Sequence, residues 1–260
     1  MKPLKETLKR LLSEKTVLTL SGIKTSFTTF ATRSWNKTYS QCGEDVIIQY
    51  AFDTIGKKNI TYIDIGTNTP KRGNNTFLFY KHSRKGICIE PNPLLFRKIK
   101  WMRKKDICLN VGIADGETDG SMLFYEFSND CLSTFSKDQA DEYLGHGFRI
   151  IGKTNVKTTN INTVIDTYFK DEDPDLISID TEGFDYRILE SFNFEKYRPI
   201  IFCVETLTFD TGINGKKIEN ILSIMEKKDY FIYADTRLNT IFMDKKYLSD
   251  DTEKYIKLFR

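Results

Sequence analysis

Two short apolar runs, each closed by an acid, set the strongest limit on what this chain can fold into. Tyr62-Ile63-Asp64-Ile65 runs into Gly66-Thr67-Asn68, and Gly86-Ile87-Cys88-Ile89 runs into Glu90-Pro91-Asn92. Short apolar runs that alternate with helical patterns read as strands of a parallel sheet. In an open sheet of that kind, ligands sit beyond the carboxyl ends of the strands, near the point where strand order reverses. The polar residues at 64–68 and 90–92 are therefore expected along that edge. Gly66 has no Cβ, so backbone can approach a ligand closely there.

From about residue 40 the chain alternates helix and strand, which predicts βαβ units in an α/β domain. The pattern predicts a helix over 43–55, a strand over 60–65, a short helix over 75–82 and a strand over 86–90. A helix opened by Pro93 reaches about residue 103, and a strand covers 106–111. Strand-like runs at 122–127 and 156–161 enclose a polar stretch, and 128–155 is expected to be a long binding loop carrying His146. Next come a helix capped by Asn162 or Thr163, a strand over 176–180, a helix over 183–192, a strand over 199–205 and a helix over 215–228. Residues 230–234 and 239–243 read as an antiparallel hairpin at the sheet edge.

Residues 1–20 read as a basic amphipathic helix with Leu4, Leu8, Leu11 and Leu12 on one face. Such a helix docks on its own domain or on a second subunit, as in a homodimer, or makes peripheral contact with an anionic membrane. Residues 21–38 look like a connector, so the expected division is an extension over 1–38 and a domain over 39–260. A net charge of +3, with both signs mixed along the chain, argues against a nucleic-acid partner. No apolar run approaches the roughly 20 residues that span a bilayer, and the start of the chain lacks the pattern of a signal peptide. Five cysteines without a C-x-x-C pair predict reduced thiols and a cytoplasmic protein.

Glu90 falls 24 residues after Gly66, about where an acid accepts hydrogen bonds from two ribose hydroxyls. Only one glycine stands where the dinucleotide fingerprint needs three. A nucleoside cofactor without phosphates, such as S-adenosylmethionine, therefore fits better than NAD. The other strand ends supply Asn68, Asn92, Asn110 with Asp115 beyond it, Asp180 with Glu182, and Glu205. One strand-end acid is commonly a helix cap, but parallel strands bring five such ends to one crevice. Asp180, Glu182 and Asp185 also offer the oxygen ligands that Mg²⁺ or Mn²⁺ prefers. The competing reading of Glu182 and Asp185 is an acidic helix start favoured by the dipole.

The blocks YSQCGED (39–45), YIDIGTN (62–68), GICIEPNP (86–93), LNVGIAD (109–115), CLSTF (131–135), LISIDTEGFD (176–185) and PIIFCVE (199–205) together resemble the FkbM-type family of S-adenosylmethionine-dependent methyltransferases. The resemblance covers roughly residues 39–235. It implies a Rossmann-like seven-stranded sheet, mostly parallel with an antiparallel edge hairpin, and methyl transfer to an oxygen of a small molecule or glycan. On that reading Asp64 and Gly66 sit beside the methionine part of the cofactor and Glu90 holds the ribose. Asn92 and Asn110 flank the adenine or hold its loop, and Asp115 receives the adenine amino group. Gln41 and Glu44 fold over the site from the first helix, although Glu44 also reads as a helix-capping acid. Asp180 stands next to the methyl group as general base or metal ligand. His146 is the alternative base if its loop closes, against the reading of an exposed loop histidine; His82 reads as a surface or capping residue. The rival readings are a metal-dependent nucleotide-sugar glycosyltransferase using Asp180-x-Glu182, and a cofactor-binding module without catalysis.

Overall fold

The computed structural model describes residues 37–81, 86–116, 119–170, 172–209 and 215–248. The helix expected over 1–20 and the reading of His82 lie outside these residues. The first element is helix α1 (Glu44–Thr54), followed by strand β1 (Tyr62–Ile65), the short helix α2 (Phe77–Tyr80), strand β2 (Gly86–Ile89) and helix α3 (Pro93–Met102). Strands β3 (Ile107–Leu109), β4 (Gly112–Ile113) and β5 (Gly120–Phe127) lead to helix α4 (Lys137–Gly145), strand β6 (Ile150–Thr159) and helix α5 (Ile161–Tyr168). Strand β7 (Leu176–Ile179), helix α6 (Asp185–Ser191), strand β8 (Ile201–Glu205), helix α7 (Glu219–Lys227), strand β9 (Tyr230–Asp235) and strand β10 (Asn239–Asp244) complete the domain.

Seven strands form one sheet in the order β3-β2-β1-β7-β8-β10-β9. The pairs from β3 through β8 are parallel, and β10 runs antiparallel to both neighbours. The chain begins at the centre with β1, moves outward through β2 and β3, then returns to the other side of β1 with β7. The reversal lies between β1 and β7, where sheets of this type bind ligands. Strands β1, β2 and β7 are buried at every position, as expected where helices cover both faces. On one face, Ile63, Ile65, Ile87, Ile177 and Phe202 pack with residues of α5, α6 and α7. On the other, Tyr62, Leu176, Ile201 and Ile241 pack with Ile48, Ala51 and Phe52 of α1.

Three readings of the sequence are corrected. Residues 128–155 are not a long loop: they hold α4 and the first part of β6, which pairs with β5 and β4 in a second, three-stranded sheet. The strand expected over 106–111 is shorter, β3 covering only Ile107–Leu109, and a separate two-residue strand, β4, follows it in the small sheet. The cap of α5 is Asn160, whose side chain accepts from the Asn162 amide. Asn162 instead donates to the Ser191 carbonyl and accepts from the Asn193 amide, tying α5 to the end of α6.

Gly66 closes β1 with a φ of +78°. Its amide donates to the Ile89 carbonyl, while the Asp180 amide donates to the Ile65 carbonyl. A Cβ on Gly66 would stand 1.8 Å from the Asp180 carbonyl oxygen, so β1 and β7 meet here only because residue 66 has no side chain. Gly56 provides the control: it too has positive φ, at +69°, but a Cβ there meets nothing within 4 Å. Gly56→Ala is expected to cost about 1 kcal/mol through its dihedral alone. Gly66→Ala should cost at least about 2 kcal/mol more, in the range of backbone-strain and overpacking defects. Urea unfolding of both variants measures the difference, and equal losses would refute the close approach.

Candidate active site

Strand alternation assembles the site. Asp64 pairs in register with Cys88 and with Ser178, and Ser178 pairs with Cys203. Side chains two residues apart on a strand share a face. One step further along that face come Gly66, Glu90, Asp180 and Glu205, side by side at the ends of four parallel strands. The result is a cleft enclosing about 1070 Å³ of empty space, its mouth included, which is on the scale of small-molecule sites. Asp64, Gly66, Glu90, Asp180, Glu182 and Glu205 all line it.

Asp64 and Glu90 are buried and tethered differently. Asp64 Oδ2 accepts from Asn74 Nδ2 and Thr76 Oγ1, both at 2.9 Å. Its Oδ1 takes no bond from the described residues. Burial pushes its carboxyl above the usual range, with Arg103, Asn74 and Thr76 pulling it back. Both oxygens of Glu90 are oriented by backbone: Oε1 accepts from the Asn92 amide and Oε2 from the Asn68 amide, each at 2.8 Å. Asn68 reaches that position with a φ of +52°, a conformation asparagine tolerates better than most residues. Burial raises Glu90 to about 7, even with these two amide bonds pulling the other way.

A second group of acids lines the same cleft at the ends of β7 and β8. One carboxylate oxygen from each of Asp180, Glu182 and Glu205 lies within 4.8 Å of the others. Tyr143 donates its hydroxyl to Glu182 Oε2, and Thr134 donates to the Glu182 carbonyl at 2.7 Å. These bonds hold Glu182 in a left-handed conformation, φ +53°. Burial first, and repulsion from neighbouring acids second, raise Asp180 to about 7, Glu182 to about 8 and Glu205 well above the carboxylate range; Asp185 and Asp64 act on Asp180, and Asp180 in turn acts on Glu182 and Glu205. Three carboxyls this close cannot all stay charged without a proton or a cation among them.

Other expected site residues are placed elsewhere. Gln41 does line the cleft, lying against Gly73, and Asn68 lines it too. Glu44 does not: it is buried under the β9–β10 turn, accepting from Thr236 Oγ1 at 2.7 Å, Asn239 Nδ2 at 3.1 Å and the Cys42 amide at 2.9 Å. Burial alone would raise its carboxyl, yet these bonds bring it below the ordinary value. Asn92 caps α3 through the Leu94 and Leu95 amides, and Asn110 holds the loop by donating to the Glu90 and Pro91 carbonyls. Asp115 lies outside the cleft in an ion pair with Arg187 at 2.8 Å. Asp185 is removed from the metal-type set because its oxygens accept from the Thr181 and Gly183 amides at the start of α6; Glu205 takes its place. His146 is exposed at the end of α4, its ring 5.4 Å from Phe209, and does not line the cleft.

Glu205 was legible as a strand-end acid of the same kind as Asp180. Asn74 and Thr76 carried no sequence signal, since their role depends on a turn folding back over β1. Tyr143 belongs to a stretch that reads as loop, and nothing in its local pattern points to Glu182.

The family model described as Methyltransferase FkbM domain matches residues 64–232. No curated protein matches the sequence significantly. Among solved structures, a TehB-like SAM-dependent methyltransferase from Corynebacterium glutamicum aligns at 12% identity and a TM-score of 0.42, over 86% of this chain and 97% of its own. Methyltransferase FkbM from Methylobacillus flagellatus aligns at 12% identity and a TM-score of 0.43, over 71% of this chain and 43% of its own. An O-methyltransferase from Bacillus cereus in complex with SAH aligns at 11% identity and a TM-score of 0.40, over 85% of this chain and 89% of its own.

The raised acids carry a pH signature. Asp180 and Glu182 have folded values of about 7 and 8 against ordinary values of 3.8 and 4.5. Folding therefore favours their protonated forms. Their contribution to stability is complete below pH 4 and is lost as pH rises through about 8. The ligand-free protein should become less stable between pH 5 and pH 8 (window set by those values). Asp180→Asn should flatten that slope and stabilise the protein at the upper end by on the order of 1–3 kcal/mol. Urea unfolding of both proteins at the two ends of the window checks this, and parallel slopes would contradict it.

Proposed function

The chain belongs to the methyltransferase FkbM domain family, and we propose that it moves a methyl group from S-adenosylmethionine to a hydroxyl oxygen of a sugar or other small molecule. The observation that carries this reading is the presence of two differently tethered groups of acids in one cleft. Glu90, with each oxygen already fixed by a backbone amide, presents its remaining lone pairs to a ribose diol. Asp64 Oδ1 is free to accept from the ammonium of the methionine part. The glycine at 66 is set at the β1–β7 reversal, without a run of amides suited to a pyrophosphate. These residues fit an unphosphorylated nucleoside better than a nucleotide. When bound, the sulfonium supplies an activated methyl group.

The chain's own contribution is to align the acceptor and take its proton. Methyl transfer is an in-line displacement, so positioning lowers much of the barrier. Asp180, held to about 7, is matched to proton abstraction near neutral pH. Tyr143 fixes Glu182 beside it, and Glu205 completes the group. The same three oxygens fit Mg²⁺ or Mn²⁺, which would lower the acceptor hydroxyl pKa in place of a general base. Phe124, Phe135, Asp130 and Ser133 form another part of the lining, a mixture of ring faces and polar groups that suits a sugar.

Glu90→Ala should weaken S-adenosylhomocysteine binding about tenfold or more, the loss of charge-assisted hydrogen bonds. Asp180→Asn should retain that binding and lower turnover by about 100-fold or more, the usual contribution of an acid–base group. Calorimetry and product mass after incubation with labelled S-adenosylmethionine and a panel of alcohols read the two effects separately. Loss of activity on chelation, restored by Mg²⁺ or Mn²⁺, would assign the three acids to a metal; tight binding of UDP in place of S-adenosylhomocysteine would overturn the methyltransferase reading of the cleft.

A further inference from the structure

Helix α3 carries two apolar faces. Leu95 and Ile99 are buried against the domain. Leu94 and Trp101 lie seven residues apart on the opposite side, 62% and 72% exposed, with Met102 beside them at 38%. Seven residues are two turns, so Leu94 and Trp101 form one row. Arg97 and Lys98, four and three residues before Trp101, flank that row. Lys100, Lys104 and Lys105 continue the charge, and all five cations are exposed. No acid occurs between residues 91 and 105. The first acid after them, Asp106, is buried and already paired with Arg103 at 2.7 Å.

Other large exposed apolar residues, such as Tyr50, Ile151 and Ile232, stand on separate elements, and single exposed residues of that kind are ordinary. The α3 row differs because its apolar groups share one element and stand within a field of one sign. Tyr80 and Lys81 extend the patch: the Tyr80 hydroxyl donates to the Met102 carbonyl, and Lys105 lies 5.5 Å from the Tyr80 ring centre. Lys81 is exposed.

We infer that the outer face of α3 docks on an anionic lipid bilayer, with Trp101 and Leu94 entering the headgroup boundary and the surrounding lysines and arginine meeting lipid phosphates. The pattern is that of an interfacial helix, an apolar row rimmed by cations, and tryptophan favours the membrane–water boundary. Charge complementarity selects the partner, because the face offers cations and no acid. The exposed leucine and methionine favour lipid over nucleic acid: aliphatic groups gain from the acyl boundary and gain little from a phosphodiester backbone. The inference is independent of the reaction assigned to the cleft.

The test is flotation of the full chain with vesicles of phosphatidylcholine alone or in equal mixture with phosphatidylglycerol, at low and high salt. The expected result is binding to the mixed vesicles only, weakened by salt. Arg97→Glu combined with Lys98→Glu should reduce that binding roughly thirtyfold or more, from about one kcal/mol per cation removed. Trp101→Ser should reduce it about tenfold through lost apolar burial. All three positions are exposed, so thermal unfolding should be unchanged, which separates a docking defect from a folding defect. Three outcomes overturn the inference: no binding to mixed vesicles, binding that survives both variants and so belongs to another part of the chain, and capture of single-stranded oligonucleotide without capture of vesicles.

Discussion

The buried guanidinium of Arg103 is the interaction on which the placement of Asp64 in the cleft depends. Its side chain has no exposed surface, and all five donors of the fork have acceptors. Nε bonds Asp106 at 2.7 Å; Nη1 bonds the Pro70 carbonyl and Asn74 Oδ1; Nη2 bonds the Tyr62 hydroxyl and Thr76 Oγ1. This occupancy has a directional consequence. Arg103 takes the oxygen end of the Asn74 amide, so the nitrogen end must face Asp64 and the Thr67 carbonyl. It also occupies a lone pair of Thr76, leaving the hydroxyl proton for Asp64. A cation that never touches the cleft thus decides which oxygen of Asp64 is satisfied inside the protein and which is free outside. Removing one partner from such a buried ionic set is strongly destabilising, because the others keep their desolvation cost.

The group of Asp180, Glu182 and Glu205 is built on the opposite principle. Among the described residues no lysine or arginine pairs with Asp180, Glu182 or Glu205. Their repulsion is left in place, and the fold holds it through backbone: the Asp180 amide is fixed by Ile65, and Glu182 is clamped by Thr134 and Tyr143. Sites that keep local conflict of this kind trade stability for chemistry. A compensated acid at Asp64 suits binding of a cation. An uncompensated set at Asp180 suits transfer of a proton or capture of a metal ion.

Much of this architecture was legible because it follows from strand periodicity. The buried parallel strands are mostly apolar and carry acids at or near their carboxyl ends, and parallel pairing brings those ends together. Strand periodicity is enough to place Asp64, Glu90, Asp180 and Glu205 along one edge. It failed where side-chain direction matters: Asp185 is sequence-adjacent to the acidic group yet caps its own helix turn, and Asn92 and Asn110 spend their polar atoms on loop and cap. Glu44 illustrates a further limit. Its bonds to Thr236 and Asn239 join segments far apart in the chain, and no local pattern encodes such contacts. Residues 128–155 were misread because the polar, weakly periodic sequence of β6 and α4 is that of elements half open to solvent.

That small sheet lines part of the cleft as well. A Cβ on Gly112 would meet the Phe135 ring at 2.4 Å, so Phe135 packs closely against the first residue of β4, just after the chain leaves the large sheet. The bridge between Tyr125 and Thr134 folds the segment after β5 back over the acids, and Thr134 then reaches the Glu182 carbonyl. Asp64 and Glu90, by contrast, are fixed by β1, β2 and the Arg103 set. Phe124 of the small sheet and Asp130, Ser133 and Phe135 of the segment after β5 supply another part of the lining. The cleft therefore takes its acids from the ends of the large sheet and much of its remaining wall from the small sheet and the segment beside it, so that wall can vary in sequence without disturbing the strand register that aligns the acids.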